Sequence, residues 1–223
     1  MCFSPTVSFF ASAALAITGI LTFRVSARHE LLFASIPLLF AIQQFIEGAQ
    51  WLVLLHNGST TVGYWLAQIY TVFVGMIWPI LAPFSLWMIE SKPRRKNMMV
   101  AVLTVGIGIA LFTLHELLQF PVTARIMDYC ILYEYPVAQP RPMLALYVIA
   151  TCGAFFCSSD HAIVRLGWVN MGAFLIAYYF YRYDLASVWC FFAAFISGVI
   201  FLYFDERTKT TRLKSYLAAK GEV

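Results

Sequence analysis

Four neighbouring side chains carry polar chemistry inside a long apolar run: Gln43, Gln44, Glu47 and Gln50. Positions 43, 47 and 50 follow i, i+4, i+7 spacing, so a helix presents them on one face. Glu47 is the charged member. A carboxylate in such a place can act as a general acid or base, ligate a metal ion or carry a proton. His115 and Glu116 supply an imidazole and a second carboxylate, and with Glu47 they form the candidate catalytic set. Cys2, Glu47 and His115 have the donor types of a divalent-metal site. Gln43, Gln44, Gln50, Gln68 and Trp189 are the candidate substrate contacts, being amides or an indole N–H held in apolar surroundings. Cys190, next to Trp189, opens a small-residue face with Ala194 and Ser197.

The elements that must position these groups are membrane spans. The chain has 223 residues, of which 61% are hydrophobic and only 12% charged, with a mean hydropathy of +0.78; this excludes an ordinary soluble domain. Seven apolar segments are long enough to cross a bilayer: 5–23, 31–55, 63–89, 98–118, 142–158, 162–181 and 185–204. With the N-terminus outside, the inner loops and tail hold 12 of the 15 basic residues and the outer ones hold 3, Arg125, Arg141 and Arg182. That asymmetry orients the bundle with its C-terminus in the cytoplasm. The first segment has no basic residue before it and Arg24 and Arg28 after it, so it reads as a span and not as a cleavable signal. The fold class is therefore an all-α bundle of seven transmembrane helices, 1–204, followed by a basic cytoplasmic tail, 205–223, suited to anionic headgroups.

On this frame Glu47 lies about 14 Å of helix from the outer end of its span. A charge at such depth costs roughly 2.5–3.5 kcal/mol, which directs it to the bundle interior. His115 continues a stripe through Thr104, Gly108 and Leu111 that is expected to face inward, bringing His115 and Glu116 to the outer depth of Glu47, Trp189 and Cys190. Pro79 and Pro83 bend the third span below Gln68 and Tyr70. The long outer loop, 119–141, is rich in β-branched and aromatic residues and is expected to form a short hairpin over the outer mouth. Tyr178, Tyr181, Arg182 and Asp184 form an interfacial belt with one ion pair, and Ser158-Ser159-Asp160 caps the sixth helix. Cys2 and Cys130 are both placed outside, where a disulfide is chemically open to them. Cys152 and Cys157 read as buried small hydrophobes.

Several chemistries are excluded. No lysine lies between Lys96 and Lys209, so no span can carry a retinal Schiff base. Phosphate-binding loops, nucleophile elbows and the H-E-x-x-H zinc pattern are absent. Three of the four histidines (His29, His56, His115, His161) sit at span ends or in loops, which disfavours haem, and the basic residues are distributed for membrane orientation and not for nucleic acid.

The opening Met1-Cys-Phe-Ser, the block from Ile36 to Gly48 containing Ile-Gln-Gln-Phe-Ile-Glu-Gly, and the block from Val188 to Ala194 resemble a family of small bacterial membrane proteins of unknown function. The resemblance implies a multi-span protein of the bacterial inner membrane and no assigned activity. Three functions remain open: a membrane enzyme acting on a lipid or small molecule through Glu47, a proton- or cation-coupled carrier or binding protein, and a structural, assembly or sensor component.

Overall fold

Ser4 opens the first helix: its Oγ accepts from the Val7 N–H at 3.3 Å, and Pro5 takes the first helical position, where its missing N–H costs nothing. The computed structural model describes residues 4–127, 130–135, 141–181 and 185–220. Cys2, and the Arg182–Asp184 pair expected in the outer belt, lie outside them. Seven helical segments follow one another: α1 (Pro5–Val25), α2 (Arg28–Leu55), α3 (Thr60–Ile89), α4 (Pro93–Gln119), α5 (Pro142–Phe156), α6 (His161–Phe180) and α7 (Leu185–Lys220). Six of them are long and apolar enough to cross a membrane; α5 is shorter. The chain is thus an all-α, multi-pass membrane protein. The expected division at 204/205 falls inside α7, which runs without a break to Lys220.

The caps follow local chemistry. Asp160 accepts from the Ala162 N–H at 2.8 Å and starts α6, as the Ser-Ser-Asp run predicts. Asn57, with φ of 47°, makes the tight turn between α2 and α3. Packing relies on small residues. Gly19 lets α1 lie against Leu38 of α2, where an added Cβ would stand 2.5 Å from Leu38 Cγ.

Within α3 a wide π turn covers Phe73–Ile77, and the Trp78 N–H bonds Phe73 O, five residues back. Pro79 follows, and Pro83 has no N–H for the Pro79 carbonyl four residues behind it. Helix α4 closes on this irregular stretch: a Cβ on Gly106 would stand 1.9 Å from Pro79 O, and one on Gly75 would stand 2.5 Å from Thr113 Cγ2. A second π turn, Ile149–Gly153, interrupts α5.

One end of the bundle is fastened by three carboxyl groups, of which Glu30 and Glu90 are buried and Asp160 is exposed. Glu30 pairs with Arg207 and accepts from the Ala27 N–H at 3.0 Å. Thr208 beside Arg207 donates to Val25 O at 2.9 Å. Asp160 also accepts from the Tyr203 hydroxyl at 3.0 Å. Glu90, just past the end of α3, accepts from the N–H groups of Ser91 (2.9 Å), Lys92 (2.9 Å) and Ser159 (2.6 Å) and from the Ser159 hydroxyl (2.6 Å). Burial alone raises its pKa, but the bonds from the Ser159 hydroxyl and the three N–H groups outweigh that and bring it down to about 2.

At the opposite end the loop forms the expected hairpin, β1 (Thr123–Met127) paired antiparallel with β2 (Cys130–Glu134), Thr123 facing Glu134. It is inset and not merely laid across the mouth. β1 is largely exposed, while Cys130, Ile131 and Tyr133 of β2 are buried. Tyr133 stacks on Tyr70 with ring centroids 4.1 Å apart. Tyr135, just beyond β2, hydrogen-bonds Thr71, and burial raises its phenol above the ordinary value.

Candidate functional site

Glu47 is fully buried in α2. Its Oε1 accepts from the Ser187 hydroxyl of α7, and its Oε2 accepts from Gln44 Nε2 at 3.2 Å. One turn earlier Gln43 bridges two further helices. Its Oε1 accepts from the Trp78 indole N–H at 2.6 Å, and its Nε2 donates to Cys190 Sγ at 2.9 Å. Trp78 is held flat by Phe40, with centroids 3.9 Å apart and planes 19° from parallel. Tyr70 adds a hydrogen bond to the Cys190 thiol. The i, i+4, i+7 face is therefore buried as its spacing predicts: Gln43, Gln44, Glu47 and Gln50 are all 0–1% exposed.

A second polar group lies beside Cys190. The Trp189 indole N–H donates to Asn170 Oδ1 at 3.1 Å, and Asn170 Nδ2 donates to Cys152 Sγ at 3.2 Å. Tyr147 meets the Trp189 ring edge-on at 5.7 Å. Between the two groups opens a small cleft. Ile36, Phe40, Ala82, Phe155, Ile196 and Ile200 make its apolar wall, and Tyr147, Thr151, Asn170, Trp189 and Cys190 supply its polar groups. Glu47 stands behind this wall, linked to it through α2 and Gln43.

The remaining candidates fall elsewhere. Gln68 receives the Val122 N–H on Oε1 at 3.4 Å and donates from Nε2 to Val122 O at 2.7 Å, so it clamps the hairpin as a strand neighbour would. Gln50 packs toward Gly63 at the start of α3. His115 is exposed and Glu116 half-buried. The whole stripe Thr104, Gly108, Leu111 and His115, expected to face inward, faces outward instead; the buried face of α4 is Met99, Gly106, Ile109 and Ala110. The close approach to Pro79 fixes this rotation, because only Gly106 admits it. The metal set Cys2, Glu47 and His115 is not assembled: His115 lies on the outward face of α4, and Cys2 lies outside the described residues, as does any bond from it to Cys130. Among the described residues no group of three His, Cys, Asp or Glu side chains is placed to hold a metal ion.

Trp78, Tyr147, Thr151, Asn170 and Ser187 join the site without having been candidates. Asn170 alone carried a usable signal, since an amide in an apolar span is subject to the same rule that marks Glu47. A family model described as a family of unknown function (DUF6629) matches residues 1–215. No curated protein and no solved structure matches the chain.

Proposed function

We propose, for a chain that belongs to this family of unknown function, that it binds an amphiphilic, lipid-like small molecule in the cleft and does so as a seven-span protein of the bacterial inner membrane, N-terminus outside and C-terminus cytoplasmic. The observation that carries the reading is the division of the cleft: an apolar wall of aliphatic and aromatic side chains beside a group of neutral hydrogen-bonding side chains. None of the described lining residues is charged, so the match is to an apolar body with a neutral polar head. Glu47 supplies the proton-exchanging group behind the wall, which suits a carrier whose cargo moves with a proton or cation.

A second reading has one specific support. Ser187 donates its hydroxyl proton directly to the Glu47 carboxylate, the arrangement of a nucleophile beside a general base. Under that reading the bound molecule is a substrate.

Ala82→Trp, which fills the cleft from the α3 side, tests the binding reading. Protein purified in mild detergent is extracted and its small molecules are identified by mass spectrometry. The wild type is expected to retain one amphiphile in stoichiometric amount and Ala82→Trp to lose it while melting normally. Equal retention by both, or no bound amphiphile in the wild type with added lipids failing to raise its melting temperature, refutes the proposal. Turnover of the retained molecule, abolished in Ser187→Ala, selects the enzymatic reading.

A further inference from the structure

We infer that the head of the cleft's ligand is a neutral carbonyl, that of a ketone or an ester, and that the Tyr147 hydroxyl is the donor that recognises it; this rests on the reading that the cleft binds an amphiphile. The other polar groups of the cleft are already committed. Asn170 gives its amide N–H to Cys152 and receives the Trp189 indole N–H on its oxygen. The Trp78 indole N–H is bound by Gln43, and the Thr151 hydroxyl donates to the backbone oxygen of Tyr147 at 2.8 Å. Cys190 accepts from Gln43 and from Tyr70 and keeps only a weak S–H donor. Tyr147 is the exception: its hydroxyl has no hydrogen-bond partner among the described residues.

The Tyr147 ring is held in place. It meets the Trp189 ring edge-on at 5.7 Å, and Trp189 is itself fixed by its bond to Asn170. The hydroxyl lies inside the bundle, within electrostatic reach of the Cys190 and Cys152 thiols and of Tyr135. Each of these three has a hydrogen bond elsewhere: Cys190 with Gln43, Cys152 with Asn170 and Tyr135 with Thr71. On a residue that lines the cleft, such a hydroxyl offers its proton to whatever fills the space.

A hydroxyl kept from water and left without a partner is destabilising, and a ligand that brings an acceptor relieves this. The acceptor is neutral. None of the described lining residues is charged, so a carboxylate or phosphate would enter without a counter-charge. It is a carbonyl and not an alcohol, because an alcohol brings an O–H that needs an acceptor of its own. The amide oxygens of Gln43 and Asn170 already receive indole N–H groups. A carbonyl has no proton to place.

Probes with the same chain and different heads test this: octane, 2-octanone, 1-octanol and ionised octanoate. Each is titrated onto the full-length protein in detergent, with the melting temperature as readout, for the wild type and Tyr147→Phe. Comparing the two proteins probe by probe cancels the partition of each probe into micelles. Without probe, Tyr147→Phe is expected to melt at or above the wild-type temperature, since the hydroxyl it loses has no partner to forfeit. Its half-saturating concentration is expected to be about two- to tenfold higher for 2-octanone, the effect of one neutral hydrogen bond, and unchanged for octane. Octanoate is expected to bind neither protein. Ala82→Trp, which fills the cleft, is expected to abolish the response to octane and 2-octanone alike. Equal half-saturation by 2-octanone in wild type and Tyr147→Phe, a larger loss for 1-octanol than for 2-octanone, binding of octanoate, or a Tyr147→Phe protein less stable than the wild type overturns the inference and leaves the cleft reading standing. A response that persists in Ala82→Trp, or no response to any probe in the wild type, removes the cleft reading and the inference with it.

Discussion

Replacing Glu90 by Gln should destabilise the bundle in a pH-dependent way. Glu90 is 5% exposed and joins the end of α3 to the turn between α5 and α6, fastening two helices that line the cleft. Its pKa falls from 4.5 to about 2 on folding. At 1.36 kcal/mol per unit that depression is worth about 3 kcal/mol. The folded pKa is the lower one, so the stabilisation is fully present above pH 4.5. It is lost as pH falls from there through 2, below which both states are protonated. A Gln side chain keeps one carbonyl acceptor but loses the charge that strengthens these bonds. The Glu90→Gln protein should therefore be less stable than the wild type by about 2–3 kcal/mol at pH 7, given the usual worth of charge-assisted bonds. The difference should narrow below pH 4.5 and approach zero near pH 2. The assay is chemical or thermal unfolding in detergent at a series of pH values, with the two proteins compared at each. A stability difference that stays constant between pH 7 and pH 3 would refute the reasoning, because the variant would then be acting through packing and not through the carboxylate's charge.

Two glycines of α4 make a matched pair: Gly106→Ala should destabilise by about 1–3 kcal/mol, since its Cβ meets the Pro79 carbonyl, whereas Gly108→Ala should be neutral or stabilise by up to about 1 kcal/mol, having nothing within 4 Å. Unfolding midpoints of the two variants in one detergent check this directly. Gln68→Leu should strand the Val122 N–H and carbonyl, costing about 2 kcal/mol and loosening the hairpin. Amide hydrogen exchange across 122–134 should then rise while exchange in α6 stays unchanged.

Glu47 and its amide neighbours were legible because a charge in an apolar run has one inexpensive place to go. Their spacing alone named the buried face. Orientation of α4 was not legible for a reason particular to membranes. Lipid tails are as apolar as a protein core, so a stripe such as Thr104, Gly108, Leu111 and His115 does not distinguish inside from outside. What decides is the shape of the neighbour: the Pro79 carbonyl, which Pro83 leaves without its helical donor, admits only Gly106. Gln68 shows a related blindness, since an amide that binds a backbone in the manner of a strand looks in sequence like an amide that binds a ligand.

Trp78 and Thr151 of the cleft were hidden by the two π turns. Each inserts one residue into its helix, and everything after it rotates by about 100° relative to an unbroken α-helix. Trp78 immediately follows the turn at Phe73–Ile77, and Thr151 and Cys152 lie within the turn at Ile149–Gly153. Faces read from a 3.6-residue period upstream of either turn therefore point the wrong way at and beyond it. The same displacement aims Trp78 at Gln43, Cys152 at Asn170 and Thr151 into the cleft. Both irregular helices are walls of one cleft, and both contribute to its polar contacts. A turn that weakens its own helix and is repeated in two helices lining one site is explained by what it positions. Straightening α3 by removing a residue from Phe73–Ile77 would swing Trp78 off Gln43 and leave that amide's oxygen buried without its donor.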